Sequence, residues 1–299
     1  MRFAFTDDQI AFRDAVRDLL EGQCTPAHVR AAWTNETGRV PGLWNQLVAM
    51  GVVGMLVPAT EGGLGLTMVD LVLILEETGR YAVPEPIVET AAFGAPLLGR
   101  PDLTIAAAPA LVPWADTADI LMTNAGRSER ADVELLARPS IDGARRVFEI
   151  RGAAEPITEG LDQAYARGVC GIAAQLCGLS ARMLELTADY VKERKQFGVP
   201  VGSFQAVKHH LADARIALEF ARPLVYRSAA TLEPVDASMG LAKAADTALL
   251  TARVALQCHG AIGYTTEYDL HLYMKRAWAL ARAWGDARAH RNRVANAIL

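Results

Sequence analysis

Glu193-Arg194-Lys195-Gln196-Phe197-Gly198, followed by Ser203-Phe204-Gln205 and by His209-His210-Leu211-Ala212-Asp213, is the stretch on which the fold turns. It stands where one long helical pattern stops and another starts. The pattern runs from about Glu159 to Phe197, and Gly198, Pro200 and Gly202 break it. Ser203 offers a side-chain oxygen that can cap the helix after the break. That helix runs past Ala221, with a kink expected at Pro223. Pro234 opens a third helix, which ends near Gly260 inside a second notable run, Gln257-Cys258-His259-Gly260-Ala261-Ile262-Gly263-Tyr264-Thr265-Thr266-Glu267. A fourth spans about Leu270 to Ile298. Four long helices joined by short loops predict a four-helix bundle over residues 158–299.

Upstream, residues 1–100 read as a helical domain. Thr6-Asp7-Asp8-Gln9 has the form of a capping box, and Phe12, Val16, Leu19 and Leu20 follow at helical spacing. A second helix covers Leu43 to Met50 and stops at Gly51. Pro58 to Gly65 is a loop, Thr67 caps a further helix through Leu71, Ile74 and Leu75, and Pro84 and Pro86 end it. Residues 101–157 change character. Short apolar runs separated by turn residues predict roughly four short strands, a reduced middle β-domain. The expected fold is therefore mainly α, with a small sheet between two helical regions.

The chain has 299 residues, 52% hydrophobic content and a net charge of −4. Its basic residues are interspersed with acidic ones, which offers nothing to nucleic acid or to an anionic membrane surface. Cys24, Cys170, Cys177 and Cys258 form no CxxC pair and no zinc pattern, so they read as buried reduced thiols and no metal site is expected. No apolar h-region follows Met1 and no run of about 18 apolar residues occurs. Neither a signal peptide nor a membrane span is expected, and the reading is cytoplasmic.

The two C-terminal runs, together with FTDDQIAFRDAVRDLLE at the start and the EGGLG loop at 61–65, resemble the acyl-CoA dehydrogenase family. The resemblance covers both helical regions. It implies an oxidoreductase that desaturates an acyl-CoA thioester at the α,β-carbons: a carboxylate removes the α-proton and FAD accepts the β-hydride. No side chain accepts a hydride, so the cofactor is obligatory. By this resemblance Arg194 reaches the FAD diphosphate, Phe197 packs near its adenosine half and Gln205 hydrogen-bonds it. Gln257, His259, Gly260, Ala261 and Gly263 meet the same dinucleotide across a subunit interface. A guanidinium fork suits paired phosphate oxygens, and glycine lets backbone approach them. The plainer readings are a solvated helix-end charge for Arg194, helix C-caps for Gly260 and Gly263, and satisfied interface histidines for His209 and His259.

Several positions depart from the family pattern. Gly260-Ala261 stands where two glycines are usual, and Leu272 and Arg276 occupy slots that are commonly basic and acidic. The family places its catalytic glutamate at one of two positions, which here hold Trp284 and Gly168. Neither takes a proton, and a Trp also fills space that an acyl chain would need. No catalytic residue is therefore assigned. Asp286 is the nearest carboxylate, and its other reading is a helix N-cap. No counterpart of the family's Gly- and Ser-rich flavin-contacting segment stands out.

These features imply one subunit of a heteromeric acyl-CoA dehydrogenase, a heterotetramer in which a longer partner supplies the β-domain and the base. Heteromeric members with a shortened chain act on bulky thioesters, including those of steroid degradation. The expected electron acceptor is electron-transfer flavoprotein. A self-sufficient homomeric enzyme with Asp286 as base, and an assembly protein without flavin, are the alternatives.

Overall fold

The structure, a computed structural model, describes residues 4–299; Met1, Arg2 and Phe3 of the expected N-terminal domain lie outside it. Helices α1 (Asp7–Gln23), α2 (Pro26–Ala32), α3 (Leu43–Ala49) and α4 (Met68–Arg80) open the chain, and a π-helical stretch, Val88–Gly94, runs into α5 (Ala95–Leu98). The Thr6 capping box forms: Gln9 N donates to Thr6 Oγ1 at 3.3 Å and Thr6 N to Gln9 Oε1 at 2.9 Å. At the start of α4, Thr67 N and Oγ1 both donate to Asp70 Oδ2, at 2.8 and 2.6 Å. Gln9 Nε2 reaches Asp70 Oδ1 at 2.8 Å, which ties the two helix starts together. Helix α2 and the π-helical stretch were not expected from the pattern. Both are short, and neither shows a full helical period of apolar residues.

The middle segment holds six short strands rather than about four: β1 (Ile105–Ala107), β2 (Val112–Pro113), β3 (Ile120–Thr123), β4 (Gly126–Glu129), β5 (Glu134–Arg138) and β6 (Val147–Arg151). They form two three-stranded sheets, β1-β3-β4 and β2-β6-β5. Strand β1 pairs with β3 in parallel, Ile105 opposite Ile120, and β3 pairs with β4 antiparallel, Thr123 opposite Gly126. Two-residue strands lie below the length at which alternation can be read from sequence.

The C-terminal half contains α6 (Leu161–Glu193), α7 (Gln205–Thr231), α8 (Pro234–His259), α9 (Leu270–Leu280) and α10 (Ala287–Ile298). Three expectations are corrected here. Helix α6 stops at Glu193, before Phe197, and Lys195–Gln196 pairs with Val199–Pro200 as hairpin β7–β8. The last helix is two helices: α9 ends at Leu280 and α10 starts at Ala287, and Gly285 in the turn between them has φ of +102°. Ser203 does not cap α7; its hydroxyl donates to Pro200 O at 2.7 Å. Pro223 lies inside α7, which continues through it to Thr231.

Helix α6 is the axis of the core. Its most apolar 18-residue window has a mean hydropathy of 1.3, enough to cross a bilayer by composition, yet 83% of that window is buried inside the protein. Each large aliphatic buried there contributes about 1.5–3 kcal/mol relative to exposure. Helices α4 and α6 meet backbone to backbone: a Cβ on Gly178 would lie 1.8 Å from Glu76 O, and one on Gly79 would lie 2.1 Å from Gln175 O. That glycine pair sets how closely the N-terminal helices sit on the bundle. Cys24, Cys170 and Cys177 are buried thiols and Cys258 is half-buried, all four unpaired. Among the described residues no His, Cys, Asp and Glu cluster could hold a metal ion.

Candidate cofactor groove and the closed cleft

Two places matter, at opposite ends of α6. At its C-terminal end, Tyr190, Arg194 and Gln196 face Val201, Ala206 and His210 of the following turn and helix; the end of α8 and the turn Gly260–Tyr264 complete a groove of about 640 Å³. That volume lies within the range of small-molecule clefts, roughly 300–1,000 Å³.

Arg194 caps α6, its N–H donating to Tyr190 O at 2.9 Å, and its exposed side chain enters no salt bridge among the described residues. Gln257, His259, Gly260 and Ala261 line the same groove. Five of the eight residues expected to touch a cofactor thus come together. Phe197, Gln205 and Gly263 do not line it. Gly263 is buried, and a Cβ there would press on His259 and Leu256 at 3.0 Å. Gln205 is exposed in the first turn of α7. Phe197 sits at the tip of the β7–β8 hairpin with φ of +53°, next to Gly198 at +82°, and is 93% exposed. Positive φ at both central residues is the turn that suits hairpin twist, but for Phe it carries strain of about 1–3 kcal/mol.

Gly260 has φ of +65° and ψ of −141°, a conformation open essentially to glycine, and nothing lies within 4 Å of the place a Cβ would take. Ala261 is not among the positive-φ residues, so the second glycine of the family pattern is not needed for the turn. His259 is buried with its ring stacked on Tyr190 at 4.4 Å and tilted against Tyr268 at 4.8 Å. Its Nδ1 donates to Ala255 O at 2.8 Å, and burial lowers its pKa, so the ring is neutral. Tyr190 and His210 were not singled out as cofactor residues. Tyr190 lies four residues before Arg194, one helical turn away, and that spacing is the signal that could have found it.

Near the other end of α6 the two glutamate positions meet. The indole of Trp284 lies over the backbone at Gly168: a Cβ on Gly168 would fall 2.6 Å from Cζ3 and 2.7 Å from Cη2. Trp284 is buried, edge-on to Phe93 at 5.0 Å and 5.7 Å from the Tyr165 ring. Its carbonyl accepts from Tyr165 Oη at 2.8 Å and from His290 Nε2 at 3.1 Å. What remains open is a chamber of about 280 Å³ between the β1-β3-β4 sheet and α6. Asp286 Oδ1 accepts from Ala289 N at 2.8 Å, which makes it the N-cap of α10. That bond holds its carboxyl below the usual range, and the group is exposed, the opposite of a general base tuned toward neutrality. The unusual Arg276 also finds its reason: it is buried, pairs with Asp142 of the middle segment and donates to Val83 O at 2.7 Å.

Sequence comparisons show the family. The model described as "Acyl-CoA dehydrogenase, N-terminal domain" matches residues 6–99, and "Acyl-CoA dehydrogenase, C-terminal domain" matches residues 164–299. The chain is 33% identical over 306 residues to acyl-CoA dehydrogenase IpdE2 of Mycolicibacterium smegmatis, covering 97% of this chain and 98% of that one. In fold it is similar to a variant of the Tcur3481-Tcur3483 steroid ACAD, with a TM-score of 0.89, 22% identity and 98% of each chain covered. It is also similar to the ChsE4-ChsE5 complex from Mycobacterium tuberculosis, with a TM-score of 0.88, 21% identity, and 99% and 98% covered. The chain belongs to the acyl-CoA dehydrogenase family of FAD-dependent oxidoreductases.

Proposed function

We propose that this chain is the subunit of a heteromeric acyl-CoA dehydrogenase that carries no base, and that it lends the α6–α8 groove to the FAD of a longer partner. One observation carries this reading: the residues suited to a dinucleotide gather on an open groove, while both glutamate positions are used up in a Trp284–Gly168 contact. The groove fits the diphosphate end of FAD. Arg194 offers a guanidinium fork with no salt bridge among the described residues, a donor that phosphate oxygens take, and Gly260, with nothing within 4 Å of a Cβ position, lets the cofactor approach the backbone closely. The chamber at Trp284 is small for the reactive ring and a thioester together. When bound, FAD supplies the hydride acceptor. This chain's residues bind and orient its phosphates, and the exposed Phe197 and Phe204, 6.3 Å apart, give an apolar rim for a partner to cover.

The likeness to a two-protein complex and to a steroid ACAD supports a partner chain and bulky, steroid-derived CoA thioesters as substrates. Electron-transfer flavoprotein then reoxidises the flavin. The homomeric reading loses its base, since Asp286 is engaged as an N-cap. The test is the flavin absorbance of the chain purified alone and with its co-expressed partner. Flavin is expected only in the complex. Flavin held by the chain alone would restore the homomeric reading, and a complex without flavin would make it an assembly protein.

A further inference from the structure

We propose that the outward face of α7 is an interface between two copies of this chain, which pack there with their α7 helices antiparallel about a twofold axis. This goes beyond the heteromeric reading and stands whether or not a longer partner holds the base.

Helix α7 carries two apolar faces. Ala214, Leu218, Ala221 and Val225 recur at three- and four-residue spacing and are buried against the bundle. Two residues along a helix turn a side chain by about 200°, so Ile216 and Phe220, each two positions from Leu218, point away from the bundle. They are 53% and 67% exposed. Ala212 and Pro223, both exposed, extend the stripe at either end. Thr247 Oγ1 donates to Ala217 O at 3.3 Å and so sets α8 alongside at this height, where Leu249 adds a further exposed aliphatic group. Single apolar residues scattered on a surface are ordinary, but a contiguous stripe opposite the core face marks an interaction site.

The charges beside the stripe identify what covers it. Arg215 and Glu219 lie one turn apart on one flank, with Arg215 Nη2 2.8 Å from Glu219 Oε1. A twofold axis that relates two antiparallel helices lays this flank against itself and reverses its direction. Arg215 of one copy then stands opposite Glu219 of the other, and Glu219 opposite Arg215, while Ile216 and Phe220 of both copies meet between them. The face is thus complementary to itself in charge as well as apolar, which is what an isologous contact requires. The groove begins at Ala206 and His210 of the same helix. His210 and Phe220 are about 15 Å apart along the helix axis, so two copies can meet at the stripe while each groove stays open to a cofactor.

The experiment is analytical ultracentrifugation of the co-purified complex, with the isolated chain run beside it. Two copies of this chain per particle are expected in both. Phe220→Glu should weaken self-association by about 30-fold or more, leaving one copy per particle with FAD retained in the complex. Arg215→Glu and Glu219→Arg should each weaken the pairing. An equimolar mixture of these two single variants should restore it, because each then offers the charge that the other lacks. Unchanged mass in Phe220→Glu overturns the proposal. Loss of the longer partner together with FAD in that variant also overturns it and gives the face to that chain. A mixture that stays as single copies overturns the antiparallel pairing. Ile216→Asp serves if Phe220→Glu does not fold, and the charge-swapped mixture decides by itself if neither does. Flavin absorbance tests the heteromeric reading separately, and self-association of the isolated chain does not depend on it, so the two can fail independently.

Discussion

At the residue scale, Gly168 and Arg194 carry the reading, and each makes a prediction. Replacing a helical glycine by alanine normally gains about 1 kcal/mol of helix propensity. At Gly168 the new methyl would lie 2.6 Å from a ring carbon of a pinned, buried indole. Overpacking of this kind costs about 1–3 kcal/mol. Overpacking wins, and Gly168→Ala should lower the denaturant midpoint; an unchanged or raised midpoint would show that the indole yields. Arg194→Ala should leave the fold intact, because the side chain is exposed and enters no salt bridge among the described residues. It should weaken FAD retention by the complex by about 1.5–3 kcal/mol, the worth of a hydrogen bond to a charged group, read as faster flavin loss on dialysis. The identities of both residues were legible in sequence. Their surroundings were not. That Trp284 lies on Gly168 is a long-range contact, and no local pattern encodes it. Asp286 as an N-cap was legible, because capping depends on four consecutive residues, here Asp286 to Ala289.

At the scale of elements, the helices that carry strong local signals stand where the pattern puts them. The Thr6 and Thr67 caps and the Pro234 start are local hydrogen-bond and φ preferences, and the tertiary fold keeps them. Errors fall where tertiary packing overrides periodicity. The last helix reads as continuous because Ala283-Trp284-Gly285 does not break an apolar pattern; in space α9 ends at Leu280 and α10 starts at Ala287, with Gly285 at positive φ between them. The hairpin at Lys195–Pro200 reads in sequence as helix end and loop, since two-residue strands carry no alternation. Helix α9 is tied to the middle segment by Arg276 and Asp142, both buried. Removing one member of a buried pair leaves the other charge without compensation, which costs about 3–5 kcal/mol. Arg276→Met should therefore destabilise far more than the exposed Arg291→Ala, whose partner Asp246 lies in solvent. Equal chemical-denaturation midpoints for the two variants would contradict the role given to this pair.

For the whole molecule, three buried histidines stand at three seams. His259 closes the groove, His271 lies between α9 and α2 edge-on to Trp33, and His290 joins Ser238 of α8 to the Trp284 turn. Burial is the largest cause lowering each pKa, and at His271 the neighbouring Lys275 and Arg30 lower it further. The native rings therefore take up a proton less readily than the unfolded chain, which protonates below about pH 6.5. A folded pKa below the unfolded one gives stability that is present at neutral pH and is lost as pH falls through that window. Glu85 acts in the opposite sense. Burial pushes its carboxyl up to about 7 despite Arg39 at 2.5 Å. Between about pH 4.5 and 7 the native state therefore holds a proton there that the unfolded chain has lost, which favours folding on acidification. Glu89 and Asp116, whose carboxyls burial also pushes up, act in the same sense as Glu85, so the buried carboxyls and the histidines oppose each other. Glu85→Gln removes one of the opposing protons, so between pH 7 and 5 the variant's urea midpoint should drop more steeply on acidification than that of the native chain. Parallel pH profiles for the two would mean that Glu85 stays ionised in the native state.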